Sequence, residues 1–264
     1  MRVVFDIGHG SDTWPPSKGV WLPDGSGFAE HDFNSAVAIK ARELAEKQGF
    51  EVLFTQQPYS PEVKLGPRCN WVNEEHKKKP ILCLVSFHAN ASSNVKAAGW
   101  GVFHWHNSTK GKKLAELWAK YARNMLPIGV WGTGIWQCVP GTWSNFDIVR
   151  KPVMPCILIE HFFFTNFDEL KKCNTPEMID LFAQVTVKAL CEYAGIEYKE
   201  EVKEEPKEEP KEDSKDLIEE YKRIIQERCR FSNPQGVWDV IEKHHPYAEA
   251  LLMQWARSYN DSPR

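Results

Sequence analysis

Three strand-like runs, each leading into a side chain that can bind a metal or carry a proton, constrain this chain most. Residues 2–7 lead through Gly8 to His9, residues 81–87 lead to His88, and the run from Cys156 ends on Glu160. The runs at 81–87 and 156–160 are almost uninterrupted apolar stretches. Such strands belong to parallel sheets covered on both faces. Open sheets of that kind place their ligand sites at the carboxyl ends of the strands. Three groups far apart in sequence therefore converge on one edge.

The segments between these runs fit the same plan. Phe33, Val37, Ala41 and Leu44 recur at helical spacing, residues 51–55 read as a strand, and residues 62–75 read as a helix. A strand at 101–105 precedes a helix with Leu114, Leu117, Trp118, Tyr121 and Met125 on one face. Thr175 and Pro176 supply an N-cap and a first position for a last helix, with Met178, Phe182, Val185 and Ala189 facing inward. Alternating strands and helices predict an α/β fold: a mostly parallel sheet flanked by helices.

Composition sets the domain boundary. From Lys199 the chain reads KEEVKEEPKEEPKEDSKD, where one valine and two prolines are the only uncharged side chains before Ser214. This stretch cannot bury enough apolar surface to offset its chain entropy, so it reads as a solvated linker. The expected domains are 1–196, a linker at 197–214 and a small all-α C-terminal unit at 215–264. In that unit Leu217, Ile218, Tyr221, Ile224 and Ile225 form one stripe, and Pro234 and Pro246 open two further helices.

Several classes are excluded. A net charge of -3 over 264 residues gives no general attraction to nucleic acid. No apolar stretch approaches the ~18 residues of a membrane span, so no membrane insertion is expected. Seven cysteines, odd in number and with no C-x-x-C pair, argue against a disulfide framework and a cysteine-built zinc site. The first residues lack the pattern of a signal peptide, which leads us to expect a chain that is cytoplasmic at synthesis.

Two neutral imidazoles and one carboxylate are a ligand set for catalytic zinc, with a fourth position open. His9 and His88 supply the imidazoles. Glu30, at the start of the first helix, and Glu160 are the carboxylates on offer. A carboxylate that is not a ligand can move the proton of an attacking water, and Glu160 fits that part. Taken singly, a histidine after a strand is more often structural and a glutamate more often solvated; it is their convergence that points to chemistry. His104 and His106 share a strand face but find no third ligand in the sequence, and His31 is expected to point away from Glu30 on its helix. Trp14, Trp21 and Trp143 fall in loops beside Pro or Gly, where an aromatic face can serve a sugar-binding groove.

The chain resembles the zinc-dependent N-acetylmuramoyl-L-alanine amidases common in phage endolysins and bacterial autolysins. The likeness runs colinearly over residues 2–195. It rests on D-I-G-H-G at 6–10, E-x-x-x-N at 30–34, Arg68 and Asn70, S-F-H-A-N-A at 86–91 and P-C-I-L-I-E-H-F-F-F-T-N at 155–166. The resemblance implies that His9, Glu30 and His88 bind one Zn2+ and that Glu160 is the catalytic carboxylate. It implies that the substrate is bacterial peptidoglycan, cut at the amide between N-acetylmuramic acid and L-alanine. Asn90, Arg68, Trp14 and Trp143 are the candidate substrate contacts. The loop at 11–16, the Trp- and Gly-rich segment 128–145 and His161 depart from the family pattern.

An endolysin acting at the cell wall after release is the expected role, with an autolysin or a sporulation amidase as alternatives. A zinc peptidase of another specificity and a non-catalytic wall-binding protein use the same residue types. The C-terminal helices are expected either to bind the wall or to pair copies into a homo-oligomer.

Overall fold

The computed structural model describes residues 1–13, 17–200 and Arg223. The first of two units into which the chain divides spans Met1–Lys199. The linker and helical unit expected at 197–264 lie almost wholly outside the described residues, and so does the expected homo-oligomer contact. Among the described residues no helix is long and apolar enough to cross a membrane.

The unit is built on a six-stranded sheet. Strands β1 (Arg2–Ile7), β4 (Glu51–Phe54), β5 (Ile81–Asn90) and β8 (Cys156–Phe163) run parallel, whereas β6 (Trp100–Trp105) runs antiparallel to β8 and parallel to β7 (Val130–Cys138). The order across the sheet is β4-β1-β5-β8-β6-β7. A small antiparallel pair, β2 (Gly19–Trp21) and β3 (Gly27–Ala29), precedes the first helix. The expected mostly parallel sheet is present, with β7 as an edge strand that the sequence reading did not distinguish.

Helices cover both faces. α1 (Glu30–Lys47), α3 (Thr109–Met125) and α6 (Pro176–Ala194) pack on one another and on one face. There Phe33, Phe162, Phe182, Trp118 and His161 meet at ring distances of 4.8–6.1 Å. α6 begins as its sequence implies: the Thr175 side chain accepts from Met178 N, and Gly195 closes the helix at φ 71. On the other face α2 (Leu65–Lys78) and α4 (Asp147–Arg150) bring Cys69, Val72, Ile148 and Val149 against Val4, Leu84, Phe103 and Leu158. α5 (Phe167–Cys173) joins β8 to α6. Cys69, Cys83, Cys138, Cys156, Cys173 and Cys191 are free and buried, as the spacing of the cysteines implies.

Two features of the sheet place the site. First, β5 and β8 run past His88 and Glu160 instead of stopping at them, and His88 lies in register with Glu160. The site therefore occupies the face of the sheet near its carboxyl edge, not the strand tips. The register then slips between His88 and Asn90, so that β8 carries an extra residue there. Such bulges re-aim side chains next to sites; here His161 and Phe162 both turn to the α1 side. Second, α2 is locked onto the sheet by a buried ion pair. Arg68 Nη1 lies 2.6 Å from Asp6 Oδ1, and Ser86 and Thr55 hydroxyls donate to the same carboxylate at 2.5 and 2.6 Å.

Burial alone would raise the Asp6 pKa, but the Arg68 guanidinium and the two hydroxyls outweigh it and hold the carboxyl below its usual range. The pair's contribution is thus present above about pH 4 and is lost as pH falls through the lower folded value. Arg68→Met leaves a buried carboxylate unpaired and should destabilise the unit by about 3–5 kcal/mol at pH 7. Urea unfolding should show this gap, and the gap should narrow in acid as Asp6 protonates.

Candidate metal centre and active site

The backbone leading to His9 is held carbonyl by carbonyl. Ile7 O accepts from Gln56 Nε2 at 2.6 Å and from Arg68 Nη1 at 3.1 Å. Gly8 O accepts from His31 Nδ1 at 2.9 Å and Asn34 Nδ2 at 3.3 Å. His9 O accepts from the same Gln56 amide, whose Oε1 in turn accepts from Val63 N at 2.9 Å. His9 itself has φ 62, a left-handed conformation that costs a non-glycine residue free energy and survives only where neighbours impose it. Gly8 is required for a different reason: a Cβ there would lie 2.3 Å from His88 Cε1.

This loop, the start of α1 and the end of β5 bring three candidate ligands together. Glu30 Oε2 lies 3.2 Å from His9 Nε2, and Glu30 Oε1 lies 3.0 Å from His88 Nδ1. Glu30 Oε1 also accepts from Ala89 N at 3.2 Å. The His9 and His88 rings stand at 87° to each other with centroids 4.9 Å apart. His88 is held through its own carbonyl, which accepts from His161 Nδ1 at 2.8 Å. One donor atom from each of His9, Glu30 and His88 falls within 4.8 Å of the other two, the one such cluster among the described residues.

The electrostatics suit a cation. Burial pushes the His9 imidazole down, more than Glu30 pushes it up, which favours the neutral ring. Burial would raise Glu30, but hydrogen bonds from His88 and His9 hold it well below the usual carboxylate range. Two imidazoles and an anionic carboxylate fit a divalent metal ion that accepts nitrogen and oxygen ligands. Glu160 is pushed the other way: burial first, and then the Glu30 charge, raise its pKa well above that of an ordinary glutamate. Its buried Oε2 has no hydrogen-bond partner. A cation at the three ligands offsets the second of those pushes.

All four residues line one cavity of about 540 Å³. Asn90 and Trp143 line it too, and Trp143 is largely exposed. Arg68 reaches the cavity, but its Nε and Nη1 are engaged by Val63 O, Asp6 and Ile7 O, which makes it first a clamp for the loop below. Trp14 lies outside the described residues. His104 is buried and bonded to Trp105 O, while His106 lies past the end of β6 and is exposed. Sequence reasoning missed Gln56 and the partner of His31. Gln56 follows β4, so the rule that singled out the other residues, a polar side chain at a parallel strand's carboxyl end, also applies to it. His31 does turn from Glu30, but the backbone it turns towards is that of the metal-binding loop.

Three converging ligands with a proton-accepting group beside them, on the carboxyl edge of an α/β sheet, are the equipment of a metal-dependent hydrolase. Comparison with known proteins narrows the class. The profile of the N-acetylmuramoyl-L-alanine amidases matches residues 3–192, and the chain belongs to that family. Solved structures agree on the fold. The catalytic domain of CwlV, an amidase from Bacillus (Paenibacillus) polymyxa var. colistinus, superposes with a TM-score of 0.61 at 22% identity, covering 74% of this chain and 99% of that one. An N-acetylmuramoyl-L-alanine amidase from Clostridium difficile 630 gives 0.60 at 25% identity, covering 74% and 96%. The CwlD amidase from Clostridioides difficile, solved in complex with the GerS lipoprotein, gives 0.60 at 20%, covering 74% and 99%. No curated protein sequence matches the chain.

The pinned loop has a measurable consequence. Gln56→Leu removes donors to two of the three carbonyls without touching a ligand. Supports of this kind typically change metal affinity by about 10–100-fold. Competition with a chromogenic chelator should show metal affinity weakened by about that factor; unchanged affinity would mean that the loop holds its shape without Gln56.

Proposed function

We propose that this chain is a zinc amidase that cuts the bond between the lactyl group of N-acetylmuramic acid and L-alanine in peptidoglycan. One observation carries the reading. The donors of His9, Glu30 and His88 converge within 4.8 Å while Glu160, the register partner of His88, keeps a buried oxygen free beside them. His9, Glu30 and His88 would hold the zinc. When bound, that ion supplies Lewis acidity, which lowers the pKa of water to about 7 and polarises an amide carbonyl.

The remaining work falls to the chain's own side chains. Glu30 stays anionic and offsets part of the ion's charge. His9 stays neutral because it is buried. Glu160 takes the proton of the attacking water on its carboxylate and gives it to the departing amine nitrogen, acting first as base and then as acid. A carboxyl with a raised proton affinity suits the second half of that cycle.

Metal and product analysis on purified peptidoglycan tests this reading. The wild type should carry one zinc and release peptides with new N-terminal alanine. Glu160→Ala should keep the zinc and lose about 10²–10⁴-fold in rate. Near-wild-type turnover by a zinc-loaded Glu160→Ala would remove Glu160 from the mechanism, and release of a terminal amino acid would make the protein a peptidase instead.

The biological role we favour is that of an endolysin, made in the cytoplasm and acting on the wall after release. Its support is the order of parts: a catalytic unit, a charged linker, then a segment with apolar stripes. A tethered second module raises the local concentration of catalyst on its substrate. Deleting residues 214–264 should abolish sedimentation with cell walls at unchanged oligomeric state. If mass halves and wall binding survives, the segment pairs copies of the chain.

A further inference from the structure

The hydrolytic step uses nothing from segment 128–145, yet Trp143 of that segment lines the catalytic cavity, backed by other aromatic rings. The Trp131 and Trp136 rings from β7 lie 6.0 and 6.2 Å from that of Phe103 on β6. Trp143, in the connection after β7, stands almost perpendicular to Phe103 at 5.8 Å and lies within 6.3 Å of Trp131, Trp136 and Phe146. Four rings hold this indole in place while 66% of it stays exposed. A large aromatic surface fixed in advance gives contact area at little cost in side-chain entropy. Asn145 lines the same cavity, and its buried Oδ1 has no hydrogen-bond donor.

The order of the strands gives this wall a direction. Crossing the sheet from the metal ligands, one meets β5 with His88, β8 with Glu160, β6 with Phe103 and β7 with Trp136. Glu160 pairs with Gly101 of β6, and glycine there lets the wall come close, since a Cβ would lie 2.9 Å from the Trp131 ring. Neighbouring strands stand about 4.8 Å apart, so β8 to β7 spans about 10 Å, the length of about three extended residues. Glu160 delivers its proton to the amine nitrogen, which places that nitrogen on the Glu160 side of the metal ligands. Peptide hangs from the nitrogen; glycan hangs from the carbonyl.

We infer that the aromatic wall capped by Trp143 is the subsite for the stem peptide beyond L-alanine, with Asn145 Oδ1 accepting a peptide N–H. The inference rests on the amidase reading and assigns the exposed indole to peptide instead of sugar.

Soluble substrates separate the two. N-acetylmuramic acid carrying a dipeptide or a pentapeptide, each with and without added sugars, can be assayed with wild type, Trp143→Ala and Trp143→Phe. On the pentapeptide Trp143→Ala should lose about tenfold in kcat/KM, mainly through KM, with markedly less loss on the dipeptide. Added sugars should leave that loss unchanged, Trp143→Phe should recover most of it, and the unfolding midpoint should stay put because the side chain is exposed. A loss equal at both peptide lengths, or one that grows with glycan length, overturns the assignment. If the wild type cleaves none of the series, the amidase reading itself fails and the subsite falls with it.

Discussion

The site depends on the backbone of residues 7–9 being unable to move. Three consecutive carbonyls are each bonded by buried side chains, and the donors come from different places: His31 and Asn34 on α1, Gln56 after β4, Arg68 on α2. A left-handed histidine costs of order 1–3 kcal/mol and persists only when its surroundings over-determine it. The ligand geometry therefore exists only once helices on both faces have docked on the sheet. Gly8 adds a steric condition, because the His88 ring occupies the space in which any Cβ would stand. Two ligands from separate strands are spaced by the absence of one side chain.

Within that frame, two carboxylates share a cavity and are driven apart in proton affinity. Both are buried, and burial alone raises both. Glu30 escapes because two imidazoles and a backbone N–H donate to it. Glu160 has no such donor and feels the charge of Glu30 in addition. Glu30 is thereby held as an anion, suited to a cation, while Glu160 binds a proton more readily than an ordinary glutamate. Environments that separate two titratable groups in this way are a general means of assigning acid and base.

Much of this was legible in the sequence, and the gaps have physical reasons. Fully buried parallel strands leave a strong signal, so β1, β5 and β8 were visible as runs leading to His9, His88 and Glu160. Glu30 was visible through its place at a helix start, where an acidic side chain also suits the helix dipole. The Gln56 amide, although it stands just past β4, was passed over because an uncharged side chain offers neither a metal ligand nor a proton. His31 was read by helix geometry alone, which ignores a partner brought in from another strand. The β2–β3 pair is three residues per strand, too short for alternation to register. β7 alternates poorly, with tryptophans on a half-exposed edge that resemble a loop.

The reversal of β6 and β7 explains why the site has two unlike halves. The rule that ligands gather at carboxyl ends applies to β1, β5 and β8, which run one way and lead to His9, His88 and Glu160. β6 and β7 run the other way, so their carboxyl ends lie at the opposite edge of the sheet. Only the amino-terminal part of β6 reaches Glu160, and the residue there is Gly101, which brings no chemistry of its own. What this half contributes must come from side chains lying across the face, and from the chain that returns over it towards β8. Those are Phe103, Trp143, Asn145 and Phe146, leading into α4, which packs on β8. The parallel half of the sheet thus gathers the candidate ligands and Glu160, and the antiparallel half offers them only surface. A change of specificity within this framework would be expected in segment 128–145, where substitutions can reshape that surface without disturbing a ligand or the loop that aims it.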